Sequence, residues 1–157
     1  MLARIDLAVA ETNQGYENSG VNQRLRLVHA AELEYTGDAD CSADTALSLL
    51  RVTRSDDGYM DDVHDLRDLY KADVVTLVVD SECTDKAGVA WQMRSPSAHF
   101  ESSAFSAVEA WYLTGEYVVA HELGHNMGAA HDRATGGLGA YPYSHGYVGP
   151  PAPPPPE

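Results

Sequence analysis

Residues 121–132 read His-Glu-Leu-Gly-His-Asn-Met-Gly-Ala-Ala-His-Asp, and their types and spacing suit the activation of water on a metal ion. On a helix, His121 and His125 project from one face, a turn apart. Two neutral imidazoles so placed can hold one zinc ion at about 2.0–2.1 Å each. Glu122, beside the first of them, can reach a metal-bound water without occupying the metal. Gly128 stands where a left-handed turn, adopted by glycine at little cost, would end the helix and bring His131 back as a third nitrogen ligand. Three protein ligands leave the fourth tetrahedral position open to water or substrate, the pattern of a catalytic rather than a structural zinc site.

In such a site Glu122 would take the proton of the attacking water and hand it to the leaving group. Asp132 is expected to tie down the loop after the third His by hydrogen bonding, since three ligands and a water complete the tetrahedron. Each residue also has a plainer reading: Glu122 as a surface salt-bridge partner, Gly128 as an ordinary helix cap. A bare His-x-x-x-His pair commonly belongs to a solvated face; Glu122, Gly128 and His131 at their offsets are what make chance an inadequate explanation. His29, His64, His99 and His145 are expected to be non-ligands, with His64 on a helix surface, His29 in a strand and His145 in a Tyr/Gly-rich loop. Tyr141, Tyr143 and Tyr147 serve either loop packing or the lining of a pocket.

The pattern His121-Glu122-x-x-His125-x-x-Gly128-x-x-His131 resembles the long zinc-binding motif of the metzincin metalloproteases. Asp132 after the third His is similar to the adamalysin/reprolysin branch. The stretches Ile5–Asn22, Asp57–Leu69 and Tyr141–Val148 are similar to bacterial, secreted, reprolysin-like zinc proteases, so the resemblance runs over about residues 2–148. It implies a zinc metalloendopeptidase with Zn2+ as cofactor, a polypeptide substrate and a secreted parent protein. It implies a partial metzincin catalytic domain over 1–148, with a mixed, mostly parallel sheet flanked by helices. By the same resemblance, Gly88, Val89, Ala90 and Trp91 form the edge strand above the cleft, along which an extended peptide would add by strand pairing. A plain edge strand is the other reading.

The sequence departs from the family in places. No Met follows Met127, whereas the family carries a methionine-containing turn beneath the metal. The expectation is therefore of a fragment lacking the first strand and the Met-turn subdomain, with weak or no proteolysis alone, since loosened outer shells cost roughly 10–100-fold in affinity or activity. The family's cysteine before the zinc helix, partner to one near Cys83, is replaced by Tyr112. Cys41 and Cys83 are either paired or two buried thiols. A non-catalytic or degenerate zinc-binding protein is the first alternative, and an interaction module working through an acidic surface and a proline-rich tail is the second.

The elements that must position these residues follow from periodicity. Leu2–Tyr16 predicts an amphipathic helix, Arg24–Tyr35 a half-buried strand and Gly37–Asp40 a turn. Asp44–Val52 predicts a short helix with Asp44 as N-cap, and Met60–Tyr70 a helix whose stripe is Met60, Val63, Leu66, Leu69 and Tyr70. Asp57-Gly58 breaks the chain between them. Asp73–Asp80 is a β-branched run that predicts a strand covered on both faces, as in a parallel sheet. Gly88–Met93 and Ala104–Tyr112 predict two more strands, and 116–127 the helix of the motif. Helices alternating with strands give an α/β class. Residues 149–157, with six prolines, read as a flexible tail, with partner binding as the alternative.

With 157 residues and 44% hydrophobic composition, the chain has the length and content of one globular domain. A net charge of −14 argues against nucleic acid and anionic membrane as partners. No apolar run approaches the roughly 20 residues of a transmembrane helix, and no signal segment opens the chain. A monomer is expected.

Overall fold

The computed structural model describes residues 1–33, 42–52, 60–80 and 86–149. In order they form α1 (Leu2–Asn18), α2 (Ala43–Arg51), α3 (Asp61–Tyr70), β1 (Val75–Val79), β2 (Gly88–Ala90), β3 (Phe105–Glu109) and α4 (Val118–Asn126), with 3₁₀ turns at Ala98–Ser103 and Ala110–Tyr112. β3 is the centre: all five of its residues are buried. β1 pairs with it in parallel, Val75 opposite Phe105 through Val79 opposite Glu109. β2 pairs antiparallel on its other side, Gly88 opposite Val108 and Ala90 opposite Ser106.

Strand alternation sorts the side chains into two cores. Phe105 and Ala107 join Leu47, Leu50, Met60 and Val63 on the α2/α3 side, with Val75, Leu77 and Val79 packed against them. Val108 joins Ala8, Leu113, Val119 and Leu123 on the α1/α4 side, with Val74 and Val78 alongside. The result is helices, a mixed sheet and helices again, the α/β arrangement expected from the alternation of elements. Ser106, fully buried, is satisfied by the Thr76 hydroxyl at 2.8 Å across the strand pair. No helix among the described residues is long and apolar enough to cross a membrane.

Several expectations are corrected. The segment from 24 to 33 is not a strand. The Leu25 N–H donates to Asn13 Oδ1 at 2.7 Å and its carbonyl accepts from Asn13 Nδ2 at 2.8 Å, so a helix side chain satisfies the backbone that a ladder would have used. His29, in this irregular stretch, stacks on Tyr70 at 4.0 Å. The cap of α2 is Ser42, whose hydroxyl accepts from the Thr45 N–H at 3.1 Å. Asp44 instead lies in the first turn, where a negative charge suits the helix dipole, and pairs with Lys86. On α3 the apolar stripe is narrower than periodicity suggests, because Leu69 is 71% exposed and Tyr70 40%. His64 is only partly exposed: its Nε2 donates to the Leu50 carbonyl at 2.9 Å and its ring lies 5.2 Å from that of Phe105. β1 is parallel as expected but ends the sheet among the described residues, and all its residues are only partly buried. The turns expected at Gly37–Asp40 and Asp57-Gly58, both cysteines and the prolines from 150 onward lie outside the described residues.

β2 crosses α4 at a point with no room for a side chain. A Cβ on Gly88 would lie 2.8 Å from both Glu122 Oε1 and Val118 Cγ1. Gly88→Ala is therefore expected to cost about 1–3 kcal/mol through overpacking, read as a lowered urea midpoint; a midpoint equal to the parent's would show that the helix yields freely. Ser42→Ala should cost about 1 kcal/mol by loss of the cap, whereas Asp44→Ala, losing an exposed pair, should cost less. The opposite order in the same denaturation series would return the cap to Asp44.

Candidate metal centre and cleft

α4 is held by an unusual buried row. Val119, Glu122, Leu123 and Asn126 fall at helical spacing and all are buried, two of them polar. His121 and His125 leave the helix on the adjoining, more open face. The helix then stops in a Schellman turn: the Gly128 N–H donates to the His125 carbonyl at 3.0 Å and the Ala129 N–H to the Gly124 carbonyl at 2.8 Å. Gly128 has φ +95°, and a Cβ there would meet Ala140 Cβ at 2.5 Å, so the position needs glycine both for its conformation and for its space. The returning chain is clamped at once. Ala130 donates to the Ser144 carbonyl at 2.8 Å and accepts from the Gly146 N–H at 2.9 Å, which fixes the backbone just before His131.

These constraints bring three nitrogens together. His121 Nε2 lies 3.1 Å from His125 Nε2 and 3.2 Å from His131 Nε2, and the last two are 3.2 Å apart. His125 Nδ1 sits 2.9 Å from the Ala129 carbonyl. A carbonyl only accepts, so that nitrogen carries the proton and Nε2 turns a lone pair inward. His121 is held below the ordinary imidazole range by burial first and by His125 and His131 after it, which favours the neutral, ligating form. Three Nε2 atoms this close could all turn lone pairs inward only with a cation between them. Nitrogens bound at 2.0–2.1 Å to one tetrahedral ion lie roughly 3.3 Å apart, so the residues present fit a bound metal.

Glu122 is 4% exposed and lies under β2 at Gly88. Burial raises its carboxyl to about 7. The Asp132 carboxylate accepts from the Thr135 hydroxyl and from the N–H groups of Ala134 at 2.8 Å and Thr135 at 3.3 Å. Those bonds, the Thr135 hydroxyl foremost, hold Asp132 below the usual carboxylate range.

The expected substrate strand divides. Val89 and Trp91 turn their side chains into the α2/α3 core, with the Arg51 guanidinium 4.8 Å over the Trp91 ring. Antiparallel alternation leaves the backbone groups of Gly88 and Ala90 facing away from β3, because Ala87 and Trp91 bond inward to Glu109 and Phe105. Sequence reasoning missed the residues that join this strand to the motif. Asn126 Nδ2 donates to the carbonyls of Trp91 at 2.8 Å and Phe105 at 3.2 Å. The Met93 N–H donates to the His125 carbonyl at 3.0 Å, and Gln92 Nε2 reaches the Ala129 carbonyl at 3.1 Å. The signal for Asn126 was present: a polar residue three places beyond Leu123, on the same row as Val119.

A cleft of about 510 Å³ opens over the imidazoles, walled by Ala130, Tyr143 and Tyr147. Tyr143 stacks on Tyr141 at 5.2 Å, so both packing and lining are present in this loop. His145 also lines the cleft, with Nδ1 3.3 Å from the His131 carbonyl. His99 lies on the first 3₁₀ turn, exposed.

Comparison with known proteins agrees with this site. A family model for metallo-peptidase family M12 matches residues 1–150. A peptidyl-Asp metalloendopeptidase of Stenotrophomonas maltophilia (strain R551-3) is 39% identical over 148 residues, covering 94% of this chain and 33% of the relative. Proteins of the same name from Xanthomonas campestris pv. campestris and Pseudomonas aeruginosa are 38% and 34% identical, over 94% and 92% of this chain and 33% and 26% of theirs. The chain thus spans about a third or less of the length of these curated relatives. No solved structure matches it. A match over almost the whole chain, with the three imidazoles and Glu122 inside it, establishes that the chain belongs to metallo-peptidase family M12 as a reprolysin-like domain of the metzincin type.

Proposed function

We propose that this chain carries the zinc-dependent centre of a secreted metalloendopeptidase. The observation that carries the reading is the triangle of Nε2 atoms, 3.1–3.2 Å on a side, beside a buried carboxyl. His121, His125 and His131 would hold the ion, and when bound it supplies Lewis acidity to a water and to the scissile carbonyl. Glu122 accepts the proton of the attacking water and delivers it to the amine that leaves. Gly128 and Asp132 keep the third imidazole in place. The backbone of Gly88 and Ala90 pairs with an extended substrate, while Val89 and Trp91 hold the strand from behind. The relatives are named for aspartyl peptides, and we take the substrates of this chain to be polypeptides containing aspartate. Its charge of −14 disfavours nucleic acid and anionic membranes as partners, and the chain is taken to act as a monomer.

Metal analysis of the purified chain should give about one zinc per molecule. Zinc at a hundred times its dissociation constant should raise stability by about 2.7 kcal/mol, an increment that a chelator removes and that His131→Ala reduces. Absence of both stoichiometric metal and a chelator-sensitive melting shift would refute the metal site. Glu122→Ala should keep the zinc and lose roughly 10²–10⁴-fold in peptide turnover. One zinc with no turnover in the parent chain would favour a non-catalytic zinc protein, and turnover unaffected in Glu122→Ala would remove Glu122 from its role.

A further inference from the structure

The cleft over the imidazoles adjoins a second cavity of about 460 Å³, and Asp132, Tyr143, His145 and Tyr147 line both. What the second cavity adds is Arg133 and its neighbour Ala134. The Arg133 Nη2 donates to the Pro142 carbonyl, which anchors one arm of the fork. Among the described residues no carboxylate lies within ion-pair distance of Arg133. A guanidinium has five N–H donors, so most of them stay available to an incoming group. Its neighbour Asp132 does not compete for them, because that carboxylate is committed to Ala134 and Thr135.

This arginine is conspicuous against its surroundings. The chain has 24 acidic residues against 10 lysines and arginines, so its long-range field repels an acidic peptide. That field is screened beyond about 8 Å at physiological ionic strength. Selection of a carboxylate must then come from a short-range contact, and a planar fork that binds both oxygens of a carboxylate is the side chain best shaped for it. Arg94, the other cation near the end of the β2 segment, lines neither cavity. Arg133 lies two residues past His131, and its cavity shares Asp132, Tyr143, His145 and Tyr147 with the cleft over the imidazoles.

We propose that Arg133 is a specificity-determining residue: the side-chain carboxylate of a substrate aspartate flanking the scissile bond enters the 460 Å³ cavity and takes paired N–H bonds from this guanidinium. Tyr143 and Tyr147 also line the cavity beside that pair. The proposal rests on the reading of the three-imidazole cleft as a peptide-hydrolysing centre.

The test uses the full 157-residue chain, zinc-loaded, in a Glu122→Ala background. Fluorescein-labelled peptides identical except for Asp, Asn or Lys at one position are bound and followed by fluorescence anisotropy, and the same peptides serve as substrates for the chain with Glu122 intact. The Asp peptide should bind about 10- to 100-fold tighter than the Asn peptide, as for a hydrogen bond to a charged group. Arg133→Gln should bring that ratio close to one, and Arg133→Lys, which keeps the charge but loses the fork, should leave it in between. Arg133→Glu should prefer the Lys peptide, an inversion that a structural role would not produce and that decides the matter if the Gln variant misfolds. Arg94→Gln should keep the parent ratio. An Asp-to-Asn ratio near one in the parent, or one that survives Arg133→Gln, overturns the proposal. Turnover of all three peptides without preference would leave the hydrolytic reading standing and this proposal fallen. Asp-selective binding that depends on Arg133, with no turnover when Glu122 is intact, would do the reverse.

Discussion

The contact between α4 and the β2–β3 edge is the constraint on which the site depends. A helix usually faces a sheet with apolar residues, and Val119 and Leu123 do so here. The same buried row also holds Glu122 and Asn126, each 4% exposed. Burying an amide or a carboxyl without full hydrogen bonding costs roughly 1–3 kcal/mol by mutational measure. Asn126 recovers part through two donated bonds, yet its Oδ1 has no partner among the described residues. Glu109 Oε2 on β3 and Trp91 Nε1 just past β2 are likewise buried without a partner among the described residues, and natural folds commonly trade local consistency for chemistry near a site. Apolar packing on both faces of β3 supplies the stability that lets this row persist.

The remaining geometry follows from how the chain leaves that helix. A left-handed glycine reverses it, two backbone bonds at Ala130 clamp it, and Gln92 ties the clamped loop back to the β2 segment. Three imidazoles from two segments are thereby set by backbone rather than by their own side-chain preferences.

The legibility of the sequence tracked the range of the interactions. The motif is local, so its helix, its turn at Gly128 and the convergence of its imidazoles follow from spacing alone. The α/β class followed from periodicity for the same reason. Long-range competition was hidden. Residues 24–27 alternate like a strand, but Asn13 on α1 offered Leu25 a better partner than any ladder. Asp44 is a good cap residue by type, and Ser42 took the role because the helix begins one residue earlier. His64 lies among acids in sequence, yet the Leu50 carbonyl and the Phe105 ring draw it inward. Trp91 sits in the strand expected beside the cleft, but the pleat turns its ring to the opposite core. Arg133 carries no periodic signal, and only the folded loop shows that no carboxylate among the described residues pairs with it.

The turn at Gly128 has a consequence for metal discrimination. Imidazole nitrogen on its own ranks copper above zinc and accepts nickel and iron as well, so donor identity cannot choose among them. What separates these ions is the coordination polyhedron each prefers, and the polyhedron available here is decided by where the reversal at φ +95° returns His131. For a metal held by these imidazoles, selectivity would thus be a property of backbone handedness, set some distance from the ligand atoms.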